Sequence, residues 1–232
     1  MRVTGPRLSV VIPVKDDAAP LGACLRSLEA QRRAPDEVIV VDNGSSDGSP
    51  EVAERWGARV LSEPAPGIAA AAATGYDAAT GDLIGRLDTD TQLGAGWVAR
   101  ALRDFAVLPD LDGVTGPAVF TGVPPGTGAL LAGWYLGIYF RGLGRRMGQP
   151  PLFGSNMVVR RGAWADVASS VHRHEPGIHD DLDVSIHLTL RGHRLAVDRS
   201  LSVLASGRPL AHPIGMLQRA VKAEHTFRLH GL

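Results

Sequence analysis

The chain has 232 residues, a hydrophobic fraction of 44% and a formal net charge of zero, because 24 Lys and Arg residues balance 24 Asp and Glu residues. This length and composition are typical of one globular domain with a substantial core. The balanced charge gives no electrostatic footprint for nucleic acid, so we predict no nucleic-acid partner. The single cysteine, Cys24, excludes an intramolecular disulfide and favours a reducing, cytoplasmic compartment. Its helical spacing with three leucines indicates a core position.

The most apolar stretch, residues 129–140, is too short to span a bilayer as a helix, which needs about 20 residues. The start of the chain also lacks the apolar region of a secretory signal peptide. Aromatic residues in the apolar stretch are followed by three arginines: Trp134, Tyr135, Tyr139, Arg141, Arg145 and Arg146. Segment 129–146 therefore has two interpretations, a peripheral contact with an anionic membrane surface and a buried helix that covers a binding site.

The first half of the chain alternates between strand and helix patterns. Apolar, β-branched runs predict strands over 8–14, 37–41, 58–61 and 82–87, and helical spacing predicts helices over 20–33, 49–56, 67–79 and 97–108. Such an alternation predicts an α/β fold with a mostly parallel central sheet that is flanked by helices.

The second half is less regular. Its patterns predict extended segments over 113–120, 153–160 and 194–203, and helices over 161–168, 180–190 and 214–229. No repeat or linker separates the halves, so we predict a single domain over 1–232 with a first half at about 8–110 and a second half at 111–232.

Carboxylates follow three of the predicted strands. Strand 8–14 runs into Asp16 and Asp17, strand 37–41 into Asp42, and strand 82–87 into Asp88 and Asp90. Ligands of parallel α/β sheets bind beyond the carboxyl ends of the strands, and right-handed crossovers bring these ends to one edge. The three strand ends therefore predict one polar ligand site.

The sequence Asp88-Thr89-Asp90 is the most informative of these strand ends. On an extended backbone, residues i and i+2 project to the same side, so both carboxylates can converge on one point. Their hard oxygen atoms suit Mg²⁺ or Mn²⁺, especially an ion that already carries phosphate oxygens. The alternative is a polar turn that caps the next helix.

Three further segments carry polar groups that suit a binding site. Asp42 and Asn43 open a turn before a helix, Gly154-Ser155-Asn156 precedes an apolar run, and Asp180 and Asp181 stand at a predicted helix start. A carboxylate among other negative groups has a raised proton affinity, which suits a general base. Each segment also has a purely structural interpretation as a turn or as the acidic first turn of a helix.

The histidines give a weaker signal. His172, His174 and His179 are close in the sequence, but zinc sites require a defined ligand set and usually a second motif, so we predict no zinc site from them. His212 or His225 is a candidate third ligand of the divalent ion or a phosphate contact, although a structural role is the commoner one.

Taken in order and spacing, these segments resemble the family 2 glycosyltransferases, whose A-type fold binds nucleotide sugars. The resemblance covers roughly residues 8–206 and is carried by Leu8 to Val14, Glu37 to Asp47, Asp88-Thr89-Asp90, Gly154 to Arg160 and Asp180 to Asp183. The resemblance implies the GT-A fold, with the nucleotide-sugar half first and the acceptor half second.

The resemblance also implies roles for single residues. Asp42 would contact the base, usually uracil, in a nucleotide pocket lined by Pro13, Val14 and Asn43. Asp88 would lie near the ribose and the metal. The direct metal ligand would be Asp90, with His212 as a candidate third ligand. Gly154, Ser155 and Asn156 would contact the substrate.

Asp181 resembles the catalytic base, and Asp180 stands where most members of the family have glutamate, so the shorter acid leaves both residues as candidates. The implied reaction is a metal-dependent, inverting transfer of a hexose-like sugar from a nucleoside-diphosphate sugar, usually a UDP-sugar, to a carbohydrate, lipid-linked or small-molecule acceptor. The cofactor would be Mn²⁺ or Mg²⁺. The alternatives are a non-catalytic nucleotide-sugar-binding protein and a phosphatase of the haloacid dehalogenase type, which also carries Asp-x-Asp after a strand.

Overall fold

The computed structural model describes residues 5–122, 130, 133–134, 136–207 and 213–232, the first two residues of the last range by their backbone alone. Seven strands form a mostly parallel sheet in the order β3-β2-β1-β4-β8-β6-β9. Their bounds are β1 Leu8–Val14, β2 Glu37–Asp42, β3 Arg59–Ser62, β4 Leu83–Arg86, β6 Gly113–Thr115, β8 Met157–Arg160 and β9 Leu195–Val197. Within the described residues the expected α/β fold is confirmed.

One strand of this sheet runs against the others. Strand β8 pairs antiparallel with β4 on one side and with β6 on the other, whereas the remaining pairs are parallel. The β4–β8 register sets Arg86 opposite Met157. The residues that follow β4 therefore lie beside the residues that precede β8, which brings distant parts of the chain to one edge of the sheet.

Helices cover both faces of the sheet. Their bounds are α1 Ala18–Glu29, α2 Ser49–Trp56, α3 Ile68–Ala78, α4 Trp97–Val107, a π-helical segment Ile138–Leu143, α5 Gly144–Met147, α6 Arg161–Val167, α7 Asp180–Leu190 and α8 Pro213–Leu229. In the described part of the chain, no helix is long and apolar enough to cross a membrane.

Alternation along the strands fills two cores. Val10 and Ile12 of β1 face the core that contains Cys24, which is buried in α1 as expected. Val11, between them, faces the opposite core under α3 and α7. Helix α3 approaches β1 so closely that a Cβ atom on Gly75 would lie 2.3 Å from Val11 Cγ1. Any larger residue at position 75 would force α3 away from β1.

Two predicted extended segments are each divided between two sheets. Segment 113–120 forms β6 and then β7 (Ala118–Thr121), and segment 194–203 forms β9 and then the start of β10 (Val203–Ser206). Strands β7 and β10 join the short β5 (Gln92–Leu93) in a second sheet of order β5-β10-β7. The chain changes sheets at Gly116, where a Cβ atom would lie 1.8 Å from Leu201 O. Local strand patterning does not reveal this packing constraint.

Candidate active site

The three strand ends that carry carboxylates are joined by direct hydrogen bonds. The Ser46 amide donates to Asp16 Oδ1 at 2.7 Å, and the Ala18 amide donates to Asp47 Oδ2 at 3.0 Å. The Thr89 hydroxyl donates to Asp17, which links the end of β4 to the end of β1. The predicted convergence of the strand ends at one edge of the sheet is therefore confirmed.

A cavity of about 330 Å³ opens at this edge, between the ends of β1, β2 and β4 and the start of α3. It is lined by Pro13, Val14, Lys15, Asn43, Gly67, Ile68, Ala71, Asp88 and Thr89. Four of the five residues expected at a nucleotide pocket, Pro13, Val14, Asn43 and Asp88, thus share one wall.

The fifth expected residue, Asp42, lies next to this wall at the end of β2. Its carboxylate accepts a hydrogen bond from the Ser45 amide at 3.1 Å and so supports the turn after the strand. Asn43 also holds the scaffold, because its Nδ2 donates to Glu63 O and Ala65 O and its Oδ1 accepts from the Gly67 amide at 2.8 Å. Asp42 therefore fixes the turn that leads into α2, and Asn43 fixes the loop that leads into α3.

A buried arginine at the end of β4 organises the acidic groups of the site. The Arg86 side chain is only 3% exposed and forms ion pairs with Asp88, at 3.1 Å, and with Asp180. Burial alone would lower the pKa of Arg86, but the charges of Asp180 and its neighbours outweigh burial and raise that pKa well above its usual value. The sequence reasoning missed Arg86, although an arginine inside the apolar run Leu83 to Leu87 was a visible signal.

The segment before β8 approaches these groups from the other half of the chain. The Ser155 hydroxyl donates to Asp88 Oδ2, and the Gly154 amide donates to Asp181 Oδ2 at 2.7 Å. A Cβ atom on Gly154 would lie 2.8 Å from Arg86 Cζ and Nη1. A Cβ atom here would therefore force the buried, ion-paired guanidinium to shift.

A second cavity, of about 530 Å³, adjoins the first and shares Ile68 and Asp88 with it. Its wall combines the acidic start of α7 with residues of α8: Ile68, Arg86, Asp88, Phe153, Ser155, Ile178, His179, Asp180, Asp181, Gly215, Gln218, Arg219 and Lys222. Asp88 thus stands where the two cavities meet, and both candidate bases face the larger one.

Asp181 is 6% exposed and forms an ion pair with His179, with Nδ1 and Oδ1 2.5 Å apart. Burial would raise the pKa of Asp181, but the charges of His179 and Arg86 and the Gly154 hydrogen bond outweigh it and hold that pKa well below its usual range. Burial alone would lower the pKa of His179, but the charge of Asp181 outweighs burial and raises that pKa above its usual value. The expectation of a raised proton affinity from negative neighbours was therefore wrong, because the nearest neighbours of Asp181 are cations.

Three other expected site residues are placed differently. Asn156 is fully buried away from the cavities, where its amide accepts from Trp97 Nε1 at 2.8 Å and donates to Leu201 O at 2.6 Å. Asp90 is half-buried in the turn after β4, outside the lining of both cavities. His212 lies outside the described residues.

An apolar groove of about 280 Å³ continues from the larger cavity between the π-helical segment and α8. It shares His179 and Arg219 with that cavity and is otherwise lined by Trp134, Ile138, Tyr139, Leu143, Arg146, Met216, Ala220, Ala223, Glu224 and Phe227. Within segment 129–146, Tyr139 is buried, whereas Trp134 and Ile138 are 66% and 47% exposed. The segment thus contains both a buried face and an exposed apolar face.

Comparison with known proteins identifies the family. The model of the family "Glycosyl transferase family 2" matches residues 9–165, and the chain belongs to this family. An uncharacterised glycosyltransferase of Mycobacterium tuberculosis is 35% identical over 114 residues, which are 49% of this chain and 50% of the relative. Glycosyltransferase AglE of Haloferax volcanii is 31% identical over 137 residues, which are 56% of this chain and 45% of the relative. The chain therefore spans about half the length of these curated relatives.

Solved structures of the GT-A fold are similar to the whole chain. The mannosyltransferase PcManGT of Pyrobaculum calidifontis, in complex with GDP-Man and Mn²⁺, has a TM-score of 0.76 at 19% identity and covers 98% of this chain and 65% of its own. Glucosyl-3-phosphoglycerate synthase of Mycobacterium tuberculosis, in complex with Mn²⁺, UDP and glucosyl-3-phosphoglycerate, has a TM-score of 0.65 at 22% identity and covers 94% of this chain and 77% of its own. These likenesses establish the GT-A fold of the chain.

Gly154→Ala tests the close packing of the site against Arg86. We expect the free energy of unfolding to fall by about 1–3 kcal/mol, because the added methyl group overpacks a buried charge cluster. The matched control is Gly162→Ala, at an exposed helical position where a Cβ atom meets nothing within 4 Å. This control should be neutral or more stable by up to about 1 kcal/mol. Denaturant unfolding measures both, and equal stabilities would contradict the packing argument.

Proposed function

We propose that this protein transfers a sugar from a nucleoside-diphosphate sugar to an acceptor hydroxyl with inversion at the anomeric carbon. The observation that carries the proposal is the position of Asp88 at the junction of two cavities, with Asp180 and Asp181 on the wall of the larger one. The smaller cavity would hold the nucleoside and the larger one the transferred sugar and the acceptor. A UDP-sugar is the expected donor, by family resemblance.

The smaller cavity suits a nucleotide because its wall combines apolar and polar groups in a preformed cleft. Pro13 and Val14 would contact the nucleoside, Asp42 would accept a hydrogen bond from the base, and Asn43 would keep the wall in place. Lys15 is exposed at the wall and adds a positive charge for phosphate oxygens.

The acidic groups at the junction also fit a divalent cation. Asp88 has a part-exposed carboxylate that faces both cavities. Asp90, in the turn two residues later and outside the lining of both cavities, would supply a second carboxylate to the ion. Oxygen donors of this kind suit Mn²⁺ or Mg²⁺. A bound ion would supply Lewis-acid stabilisation of the departing diphosphate.

The residues of the chain supply the remaining steps. Asp181 would take the proton of the acceptor hydroxyl while the oxygen of that hydroxyl forms a bond to the anomeric carbon. On the opposite face of that carbon, the bond to the diphosphate oxygen breaks. Arg86 would hold Asp88 and Asp180 in position. The Gly154 amide and His179 would orient the Asp181 carboxylate, and Ser155 would orient Asp88. A single displacement of this kind inverts the configuration.

A thermal-shift panel tests the donor and the metal. We expect UDP with Mn²⁺ to raise the midpoint of unfolding more than UDP or Mn²⁺ alone, because ligand binding to the folded state adds stability. GDP and dTDP serve as competing nucleotides. In Asp90→Ala the Mn²⁺-dependent part of the shift, and Mn²⁺-dependent transfer, should be lost while the fold is kept. Normal Mn²⁺-dependent transfer by Asp90→Ala would refute the metal assignment.

Paired substitutions test the base. We expect Asp181→Asn to reduce kcat by about 10²–10⁴-fold with donor binding unchanged, because the amide cannot accept the proton. Hydrolysis of a UDP-sugar and transfer to a panel of acceptors give the rates, and UDP binding gives the control. An inactive Asp180→Asn together with an active Asp181→Asn would make Asp180 the base. Absence of both hydrolysis and transfer in the wild-type protein, with donor binding intact, would instead favour a non-catalytic nucleotide-sugar-binding protein.

We further assign the apolar groove to an acceptor with an apolar portion, such as a lipid-linked sugar. The groove is continuous with the larger cavity through His179 and Arg219, and exposed Trp134 and Ile138 lie beside it. Arg141 and Arg145 are also exposed, so this face combines apolar and cationic groups as peripheral membrane segments do.

Co-sedimentation with anionic liposomes tests this surface. We expect the wild-type protein to sediment with the vesicles, less so at high salt, and the double substitution Trp134→Ser and Ile138→Ser to weaken binding. Val107→Ser is the control, because Val107, at the end of α4, is 68% exposed and therefore about as exposed as Trp134. Absence of binding by the wild-type protein would remove the membrane contact from the proposal.

A further inference from the structure

Four side chains outside the cleft converge on one point between α7 and α8. They are His172, from the segment before α7, Asp183 and His187, from α7, and His230, just after α8. Each offers one ligand atom, and these four atoms all lie within 4.8 Å of one another. Asp183 and His187 are four residues apart on one helix and therefore share a face.

The spacing of these atoms is close to that of a tetrahedral metal site. Asp183 Oδ1 lies 2.7 Å from His172 Nδ1, 3.3 Å from His230 Nε2 and 3.6 Å from His187 Nε2. His187 Nε2 lies 3.5 Å from His172 Nδ1 and 3.2 Å from His230 Nε2. Zinc–ligand bonds of about 2.0–2.1 Å give a tetrahedron with edges of about 3.3 Å. The five distances between ligand atoms given above lie on both sides of this edge length.

The outer contacts orient the ligand atoms inward. His230 Nδ1 lies 2.8 Å from Thr226 O, and because a carbonyl only accepts, this nitrogen carries the proton. The opposite nitrogen of a neutral His230 then has its lone pair directed at the cluster. The second oxygen of Asp183 accepts from the His172 amide at 2.8 Å, which leaves Oδ1 for the cluster.

Burial supports a site in which water is largely replaced by protein groups. The side chains of His230 and Asp183 are 3% and 4% exposed, that of His187 is 15% exposed, and that of His172, at the outer side of the cluster, is 31% exposed. Three imidazoles and one carboxylate are all zinc ligands, and together they form the closed set of four that a structural zinc ion requires. Imidazole nitrogen selects zinc over magnesium or calcium, which prefer oxygen.

We propose that His172, Asp183, His187 and His230 bind one structural Zn²⁺ ion that fastens the end of α8 to α7. This site is separate from the acidic groups of the cleft. Its effect would reach the cleft through α8, because the His179 amide donates to Thr226 Oγ1 at 2.9 Å and residues of α8 line the larger cavity. The ion would therefore hold the wall beside His179 in place.

Metal analysis of the whole chain, purified without a polyhistidine tag, tests the proposal. The protein is stripped with a chelator, dialysed against Zn²⁺ and then against metal-free buffer, and its zinc content is measured by mass spectrometry. We expect one zinc ion per wild-type chain and loss of that ion in His187→Ala and His230→Ala. His174→Ala is the matched control, because His174 is exposed and two residues from His172, and it should keep the ion.

Asp90→Ala separates this inference from the proposed function, since it should keep the zinc ion even when Mn²⁺-dependent transfer is lost. Wild-type protein loaded with Co²⁺ should show the strong visible absorption of a tetrahedral site, a readout that does not depend on variant folding. A wild-type chain without stoichiometric zinc, zinc retained in a folded His230→Ala, zinc lost in Asp90→Ala, or an octahedral cobalt spectrum would each overturn the proposal. Absence of stoichiometric zinc from the wild-type chain would mean that the cluster is a hydrogen-bonded network without a metal ion.

Discussion

A buried cation at the end of β4 keeps two acidic groups of the site together. Arg86 pairs with Asp88 from its own strand end and with Asp180 from the start of α7. Without it, these two carboxylates would repel each other across the site. Removing one partner from a buried ion pair costs about 3–5 kcal/mol, because the remaining charges lose their compensation. The geometry of the two cavities therefore depends on this side chain.

Around this centre, the two sides of the cleft are stabilised in different ways. The smaller cavity is fixed by backbone-directed hydrogen bonds, such as those between the Asn43 side chain and the loop before α3. The larger cavity is fixed by charge, because Asp181 lies between His179 and the Arg86 cluster. Under the proposed function, an acceptor that enters the larger cavity would meet a prearranged base with cationic neighbours.

The strand and helix order, the edge where the site lies and several of the cleft residues could be predicted, because hydrophobic periodicity and strand-end carboxylates are local signals. The division of segment 113–120 between two sheets could not, since it follows from the close approach of Leu201 to Gly116. The interior role of Asn156 depends on Trp97, far away in the sequence. The histidine cluster was missed because its members come from positions 172, 183, 187 and 230, and the sequence patterns drew attention only to His172 and Asp183, in two separate segments.

The register of the antiparallel strand β8 fixes the relative position of two groups in the cleft, Ser155 and Asp88. Pairing of Arg86 with Met157 determines how far Ser155 lies from Asp88. A slip of two residues would move them apart by about 7 Å, and a slip of one would turn their side chains to opposite faces. This alignment is set by the β4–β8 register and not by the length of the chain that connects β7 to Phe153. A connection of different length or sequence would therefore change the surface that it presents without moving Ser155 away from Asp88.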